Sequence, residues 1–284
     1  MKAYDRPQKV AAAGLYPFFR IIESEQDTEV TINGEPVLMF GSNSYLGLTT
    51  HPALKEASKS AIDKYGSGCA GSRFLNGTLD LHIELEEKLA KFVGKESALV
   101  FSTGFQVNLG VISSIPGRHD YIIMDDLDHA CIIDGVRLHQ GKRFVFPHNN
   151  IENFEKQLQR ANKIVEETGG GILVITEGVF GMSGDLGKIR EISQLKSKYN
   201  FRLFVDDAHG FGTMGATGAG AGEELGVQDE IDLYFSTFAK SMASIGAFVG
   251  GDATSIKFLR YNLRSQIFAK SLPMPLVIGA IKRL

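Results

Sequence analysis

Residues 231–241 read Ile231-Asp232-Leu233-Tyr234-Phe235-Ser236-Thr237-Phe238-Ala239-Lys240-Ser241. The first five form a mainly apolar run that predicts a buried strand, and a lysine follows soon after that strand ends. A lysine in such a partly dry position has a lowered pKa, and its neutral amine is a nucleophile. Lys240 is therefore a candidate for a Schiff base, although a surface lysine whose stem packs on apolar groups gives the same pattern.

Short apolar runs alternate with helical patterns along most of the chain. The predicted strands span residues 97–101, 121–124, 144–146, 171–176, 201–205 and 233–236, and the predicted helices span 52–65, 79–93, 104–115, 130–139, 151–168 and 189–199. This alternation is typical of an α/β fold in which helices cover both faces of a mostly parallel sheet. Ligands of such folds bind at the carboxyl ends of the strands, so we expect the functional residues just after each strand.

The composition indicates a globular protein and argues against several functional classes. Of 284 residues, 43% are apolar and 22% charged, and a net charge of −3 without a basic stripe gives no electrostatic case for nucleic-acid binding. Two cysteines, Cys69 and Cys131, are too few for a disulfide framework or a metal site of their own. Because no run has the length and apolarity of a signal or membrane span, we expect a cytoplasmic protein, with peripheral contact to the inner membrane face left open.

The chain divides into two predicted parts. Residues 1–50 form an N-terminal arm with a hairpin, because Asn33-Gly34 between two apolar runs favours a type I′ turn. Residues 51–284 form one large cofactor-binding domain. The sequence Gly66-Ser67-Gly68-Cys69-Ala70-Gly71 matches the dinucleotide fingerprint G-x-G-x-x-G, but it follows a predicted helix instead of a strand. A tight loop is the better interpretation of these glycines.

A carboxylate pair and a histidine follow the predicted strand at 201–205. Asp206, Asp207 and His209 are costly at a buried strand end unless they have partners. Each alone has a simpler interpretation, as a solvated cap or an ordinary core histidine. Together with Lys240 they match the needs of pyridoxal 5′-phosphate (PLP). That cofactor requires a carboxylate to keep its ring nitrogen protonated, a donor for its phenolic oxygen and an amine for its aldehyde.

Two further strand ends give weaker signals. Gly104 opens the helix after the strand at 97–101, and the backbone N–H groups at a helix start can bind phosphate. His129 follows the strand at 121–124, where its flat ring can stack on a cofactor ring. The ordinary alternatives are a helix start without a ligand and a capping histidine.

Six short motifs resemble, in chain order, those of the α-oxoamine synthases, which are PLP-dependent enzymes of fold type I. The motifs are Asn43-Ser44-Tyr45-Leu46-Gly47-Leu48, Gly71-Ser72-Arg73, Asp128-His129-Ala130, Glu177-Gly178-Val179-Phe180, Asp206-Asp207-Ala208-His209-Gly210 and Ser236-Thr237-Phe238-Ala239-Lys240-Ser241. The resemblance extends over residues 37–275, and residues 66–82 look most like the bacterial serine palmitoyltransferases. It implies a mostly parallel seven-stranded sheet between helices, and a homodimer with the active site at the interface.

The resemblance also implies a catalytic set of four residues. Lys240 bonds the PLP aldehyde and later moves a proton at the substrate α-carbon. Asp206 contacts the ring nitrogen, His209 donates to the phenolic oxygen, and His129 stacks on the ring face.

The other implied contacts hold the cofactor phosphate and the substrate. Gly104 and Phe105 offer backbone N–H groups to the phosphate, and Thr237 offers a hydroxyl. Asn43 and Arg73 are the residues implied to bind the substrate.

Three departures from the family pattern accompany the resemblance. Gly181 stands where the family has a serine near the phenolic oxygen. Ala269 and Lys270 replace small hydroxyl residues expected to reach the partner's phosphate, and Lys270 is hypothesised to supply a charge there. Family members also continue into a small C-terminal domain with a substrate-binding arginine and part of the acyl channel. We expect that domain to be absent here, and activity to be weak at best.

The implied reaction is the decarboxylative condensation of an amino acid with an acyl-CoA. In serine palmitoyltransferases, L-serine and palmitoyl-CoA give 3-ketodihydrosphingosine in the first step of sphingolipid synthesis. The alternatives within the family are a glycine C-acetyltransferase and an 8-amino-7-oxononanoate synthase. Beyond it, a PLP aminotransferase and an inactive cofactor-binding domain remain open.

Overall fold

The computed structural model describes residues 4–284 and divides into two compact units, one ending at Ser42 and the other spanning Asn43–Leu284. The strands are β1 (Glu29–Ile32), β2 (Glu35–Leu38), β3 (Ser97–Phe101), β4 (Tyr121–Asp125), β5 (Lys142–Phe146), β6 (Ile172–Glu177), β7 (Arg202–Asp206), β8 (Leu233–Thr237) and β9 (Ala247–Gly251). The α-helices are α1 (Arg6–Ala12), α2 (Pro52–Tyr65), α3 (Asp80–Phe92), α4 (Gly104–Ser114), α5 (Ala130–Leu138), α6 (Ile151–Thr168), α7 (Ile189–Gln194), α8 (Ala221–Glu224), α9 (Ala253–Asn262), α10 (Arg264–Ile267) and α11 (Met274–Arg283).

The first unit contains the predicted hairpin. Strands β1 and β2 pair antiparallel, with Ile32 opposite Glu35, so that only two residues form the turn. Asn33 and Gly34 have φ angles of 53° and 78°, as a type I′ turn requires. The turn predicted from Asn33-Gly34 is therefore confirmed.

The second unit is built on a seven-stranded sheet with the order β3-β9-β8-β7-β6-β4-β5. Strands β8, β7, β6, β4 and β5 are parallel, whereas β9 runs antiparallel to both of its neighbours, β3 and β8. The mostly parallel sheet is confirmed. The sequence pattern did not locate β9, because glycines at positions 246, 250 and 251 weaken its strand signal.

Helices cover both faces of this sheet. Alternate residues of each central strand enter two separate apolar clusters, as the period-two geometry of a strand requires. In β4, for example, Ile123 enters one cluster, whereas Ile122 and Met124 enter the other. Because both clusters are buried, the polar residues of these strands are confined to the strand ends.

Two local predictions concern segments outside the sheet, a helix and a glycine-rich loop. The helix predicted over 189–199 is α-helical only to Gln194 and continues as a 3₁₀ turn over Leu195–Ser197, since helix ends often tighten in this way. The glycines of residues 66–71 lie between α2 and α3 and do not follow a strand. Their geometry therefore does not fit a dinucleotide-binding turn, as predicted.

Candidate active site

A cavity of about 230 Å³ lies at the carboxyl edge of the parallel strands, next to the start of α4. Its lining residues are Gly104, Phe105, His129, Cys131, Glu177, Asp206, Ala208, His209, Phe235, Thr237, Ala239 and Lys240. The fold thus brings together all seven residues predicted to bind the cofactor, although they are up to 136 positions apart in the sequence (240 − 104).

Lys240 lies in a loop that joins β8 to β9. Because β8 and β9 pair with each other, both ends of the loop are fixed, with Thr237 opposite Ala247. Within the loop, the N–H of Phe238 donates to the carbonyl of Gly246 (2.9 Å) and the N–H of Ala243 donates to the carbonyl of Lys240 (2.8 Å). The backbone of the lysine is thereby held in one conformation.

The amine of Lys240 contacts a neutral histidine. Its Nζ lies 2.7 Å from Nε2 of His209, and burial lowers the pKa of the amine from its ordinary value. Burial, together with the charges of Lys240 and His129, lowers the pKa of His209 to about 4, so that its ring is uncharged at neutral pH. The other ring nitrogen, Nδ1, lies 2.7 Å from the hydroxyl of Tyr45. A lowered pKa is the direction that a nucleophilic role of Lys240 needs, and that role stays a prediction.

The two adjacent aspartates have different surroundings. Asp206 accepts hydrogen bonds from the side-chain amide of Asn108 (2.6 Å) and the N–H of Ala208 (3.1 Å) and faces the cavity. Asp207 points into the protein, where the hydroxyl of Tyr234 and the N–H of Ala221 both donate to its carboxylate at 2.8 Å. Burial raises the pKa of Asp206. A cation entering the cavity would therefore be stabilised by Asp206, whereas Asp207 organises the fold.

His129 is held at the wall of the cavity by three contacts. It caps α5, and its backbone N–H donates to the carboxylate of Glu177 at 2.7 Å. Its Nδ1 accepts from the N–H of Cys131 (3.2 Å) and contacts the Cys131 thiol (2.8 Å). Burial and the nearby Asp206 raise the pKa of Glu177 to about 8, so this group holds a proton over much of the neutral range.

The start of α4 forms another wall. Thr103 caps the helix, and the next residues, Gly104 and Phe105, lie at the end where backbone N–H groups have no partner within the helix. A Cβ atom at Gly104 would lie 3.1 Å from Phe235 and 3.4 Å from Thr237. The glycine therefore leaves space at the position where an anion would meet the helix terminus.

The matching family model is described as "Aminotransferase class I and II" and covers residues 35–283. The chain is 53% identical over 268 residues to a serine palmitoyltransferase of Bacteroides thetaiotaomicron, which covers 94% of this chain and 67% of the relative. The chain belongs to the class I and II aminotransferase family and, within it, to the α-oxoamine synthases.

Two further similarities refine this placement. A cysteate-C-fatty acyltransferase of Capnocytophaga ochracea is also 53% identical, over 96% of this chain and 65% of that protein. The solved structure of a serine palmitoyltransferase from S. paucimobilis with a bound PLP–myriocin aldimine superposes with a TM-score of 0.92 at 36% identity, covering 98% of this chain and 69% of the other. The fold is the predicted fold type I, and this chain spans about two thirds of the length of its curated relatives.

PLP is the cofactor of this family, and the cavity residues of this α-oxoamine synthase chain fit it. Asp206 is only 4% exposed and supplies a buried carboxylate suited to a protonated ring nitrogen. Lys240 supplies the amine, and the open start of α4 at Gly104 suits a phosphate. These features come from three different elements, because Asp206 ends β7, Lys240 follows β8 and Gly104 opens α4. Each of them suits a different group of the cofactor.

The two predicted substrate residues lie outside the set that lines this cavity. Arg73 forms a buried ion pair with Glu86 at 2.7 Å, and its Nε donates to the hydroxyl of Thr78. Asn43 lies two residues before Tyr45, whose hydroxyl is 3.4 Å from the Asn43 side-chain oxygen. The geometry gives Arg73 a structural task, and substrate binding by either residue stays a prediction.

Two of the three departures noted in the sequence, at Gly181 and Lys270, occupy different settings. A Cβ atom at Gly181 would lie 2.2 Å from Nε2 of His209, so the glycine leaves room for the imidazole ring. Lys270 has an exposed side chain, and its carbonyl accepts from the Ser102 hydroxyl at 2.5 Å. The proposed charge contribution of Lys270 stays a prediction.

Three residues of the site were missed by sequence reasoning. Asn108 meets Cys131 because α4 and α5 pack side by side, and it meets Asp206 at the end of β7, 98 positions away; no local pattern reveals either contact. Glu177 stood within a recognised motif but received no role. Asn108 had one available signal, since it lies one helical turn after Gly104 and is a polar residue among the apolar residues Val107, Leu109 and Val111.

Proposed function

We propose that this chain carries the PLP-binding part of an enzyme that condenses L-serine with palmitoyl-CoA and releases CoA and CO₂. The product is a 3-oxo-amine, and the reaction is the first step of sphingolipid synthesis. The observation that carries the proposal is the meeting of Lys240, His209, Asp206 and His129 around one cavity, in a chain similar to serine palmitoyltransferases.

When bound, PLP supplies an electron sink for negative charge at the substrate α-carbon. Asp206 would hold the ring nitrogen in its charged state from the floor of the cavity. The amine of Lys240 accepts the α-proton at Nζ, a role that is favoured by burial because it lowers the pKa of the amine. His129, held by its contacts with Cys131 and Glu177, would stack on the face of the cofactor ring.

The experiment that tests the proposal measures CoA release by the longest natural chain that contains these residues. Palmitoyl-CoA and acetyl-CoA are each combined with L-serine, glycine and L-alanine, and a Lys240→Ala variant gives the background thioester hydrolysis. We expect release with L-serine and palmitoyl-CoA only. Release with glycine and acetyl-CoA would instead indicate a glycine C-acetyltransferase, and amino-group transfer to an oxo acid without CoA release an aminotransferase.

Cysteate is a second candidate amino acid. The chain is as similar to a cysteate-C-fatty acyltransferase as to a serine palmitoyltransferase, at 53% identity to each. Cysteate therefore belongs in the same assay beside L-serine. A higher kcat/KM for cysteate with palmitoyl-CoA would reassign the amino acid and leave the reaction class unchanged.

We also propose that the protein acts as a homodimer in the cytoplasm, with its site at the interface and peripheral contact to the inner membrane face. Over residues 4–284, the helices are too short or too polar to cross a bilayer. The molar mass in solution, measured with and without lipid vesicles, tests both parts. A monomer at micromolar concentration, or the absence of vesicle binding, would contradict the corresponding part.

A further inference from the structure

Tyr45 reaches the catalytic histidine from a distant part of the sequence. Its hydroxyl lies 2.7 Å from Nδ1 of His209, and the two rings are 6.1 Å apart at 38°. A tight turn holds the tyrosine, since its N–H donates to the carbonyl of Asn43 (2.8 Å) and the N–H of Gly47 donates to that of Ser44 (3.0 Å). The contact thus joins two fixed backbone segments.

The contact determines which ring nitrogen of His209 carries the proton. The ring is uncharged, so it has one N–H and one lone pair. The hydroxyl of Tyr45 has one proton, and Nδ1 is a nearer acceptor (2.7 Å) than the side-chain oxygen of Asn43 (3.4 Å). When the hydroxyl donates to Nδ1, the ring proton is on Nε2, and the amine of Lys240, 2.7 Å from Nε2, then accepts through the lone pair of its neutral form.

We propose that Tyr45 is a positioning residue that donates to Nδ1 of His209 and thereby keeps the ring proton on Nε2, the nitrogen that faces Lys240 and the cavity. This inference deepens the proposed function. Nε2–H is the form that can donate to the phenolic oxygen of PLP, whereas a lone pair on Nε2 would repel that oxygen. Tyr45 acts through His209 and does not itself touch the reacting atoms.

The experiment uses a Tyr45→Phe variant, which removes one oxygen from a side chain on the surface. Tyr261→Phe is the matched control, because Tyr261 is 60% exposed and lies on α9, outside the residues that line the cavity. Nitrogen NMR of ring-labelled histidine, with a His209→Gln variant to assign the signal, reports the tautomer directly. The measurement is made on the protein without PLP and needs no substrate.

We expect the wild type and Tyr261→Phe to have the His209 proton on Nε2, and Tyr45→Phe to show a mixture of both tautomers. We also expect Tyr45→Phe to raise the dissociation constant of PLP by roughly two- to ten-fold, the range set by one neutral hydrogen bond. A proton on Nδ1 in the wild type would overturn the inference. An unchanged tautomer and PLP affinity in Tyr45→Phe would overturn it as well.

These results are separate from the test of the proposed function. If CoA release fails while the tautomer shifts as expected, the reaction assignment is wrong and the role of Tyr45 stands. If CoA release is observed but Tyr45→Phe leaves the tautomer unchanged, the reaction stands and the role of Tyr45 is wrong.

Discussion

Two nitrogen groups, those of Lys240 and His209, and two carboxyl groups, those of Asp206 and Glu177, line the cavity. Burial lowers the pKa of Lys240 and His209, whereas it raises the pKa of Asp206 and Glu177. These shifts follow from one cause, the cost of a charge in a site that excludes water. For Lys240 and His209 this favours the uncharged forms that their proposed roles use, whereas the charged form of Asp206 is favoured by Lys240 and by the bonds from Asn108 and Ala208.

The first prediction concerns the covalent attachment of PLP. We expect Lys240→Ala to abolish retention of PLP after borohydride reduction and to lower the rate of CoA release at least ~10³-fold, because the nucleophile and the proton acceptor are lost together. Mass spectrometry of the reduced protein measures the attachment. Lys257→Ala, an exposed lysine on α9, is the control and should behave as the wild type. Retention in Lys240→Ala would show that another group bonds the cofactor.

The second prediction separates the two adjacent aspartates. Asp206→Asn keeps the shape of the side chain but removes its charge, so we expect folding to persist while the rate falls about 10²-fold or more. Asp207→Asn disturbs buried bonds to Tyr234 and Ala221, so we expect it to cost about 1–3 kcal/mol of unfolding free energy. Kinetics and urea unfolding of both variants measure the two effects. If Asp206→Asn lowered the unfolding free energy and Asp207→Asn lowered only the rate, the two proposed roles would be exchanged.

Sequence reasoning located the residues at the strand ends that line the cavity, and their roles stay predictions. Asp206 ends a buried strand, and His209 and Lys240 follow buried strands. A polar side chain at such a position costs free energy unless it has a partner. Sequence reasoning did not reveal that Arg73 forms a buried ion pair with Glu86, thirteen positions later, because a motif match does not show such a partner. It also missed Asn108, whose partner lies 98 positions away.

At the scale of single elements, β9 is the strand that the sequence pattern concealed. Its Phe248 is fully buried between the rings of Phe211, Tyr234 and Phe238. We expect Phe248→Ala to lower the unfolding free energy by about 3–5 kcal/mol, because it leaves a cavity in the core. Phe40→Ala, at a ring that is 92% exposed, should change it by less than about 0.5 kcal/mol. Similar values for both variants in urea unfolding would contradict the placement of β9.

A histidine clamp connects three loops beside the active site. His148 contacts Asp125 at the end of β4 (2.9 Å) and Asp185 in the loop after β6 (2.6 Å), and its ring packs edge-on against Phe180 at 4.4 Å. Gly181, next to Phe180, adjoins the ring of His209. The clamp therefore fixes the segment that borders the catalytic histidine.

This clamp predicts a specific pH dependence. Burial lowers the pKa of His148, but hydrogen bonds to Asp185 and Asp125 outweigh that effect and raise it above the ordinary value of 6.5. The stabilisation is therefore complete below pH 6.5 and is lost as the pH rises through the raised value. We expect His148→Gln to cost roughly 1–2 kcal/mol at pH 6 and less at pH 9, as measured by urea unfolding. His119→Gln, an exposed histidine, is the control. A cost that increases with pH would contradict the clamp.

For the whole molecule, cofactor binding should be coupled to folding. The cavity walls come from β6, β7, β8, α4, α5 and the loops next to them, so unfolding destroys the site. PLP at one hundred times its dissociation constant should therefore raise the unfolding free energy by about 2.7 kcal/mol. Calorimetry with and without PLP measures this gain in unfolding free energy. At the same PLP concentration, Lys240→Ala should show only a fraction of the gain. An equal gain in that variant would place PLP elsewhere.

The architecture of the whole molecule was more accessible from sequence than its details. Alternation of buried strands with helices predicts the parallel sheet and its ligand-binding edge, because both follow from burial and chain direction. The antiparallel β9 and the packing of α4 against α5 depend on contacts between distant segments, so no local pattern encodes them. The hairpin at Asn33-Gly34 could be predicted in full, because two residues determine its turn.

The loop of Lys240 has one further consequence. Because β8 and β9 tie both of its ends, the amine is tethered, and after each departure from a ligand it can return only to the same small volume. The relevant quantity is then its effective concentration at the reacting carbon, which for a short rigid tether far exceeds any concentration of free amine. The entropy cost of positioning this amine arises once, when β8 and β9 pair during folding, and does not recur in every catalytic cycle.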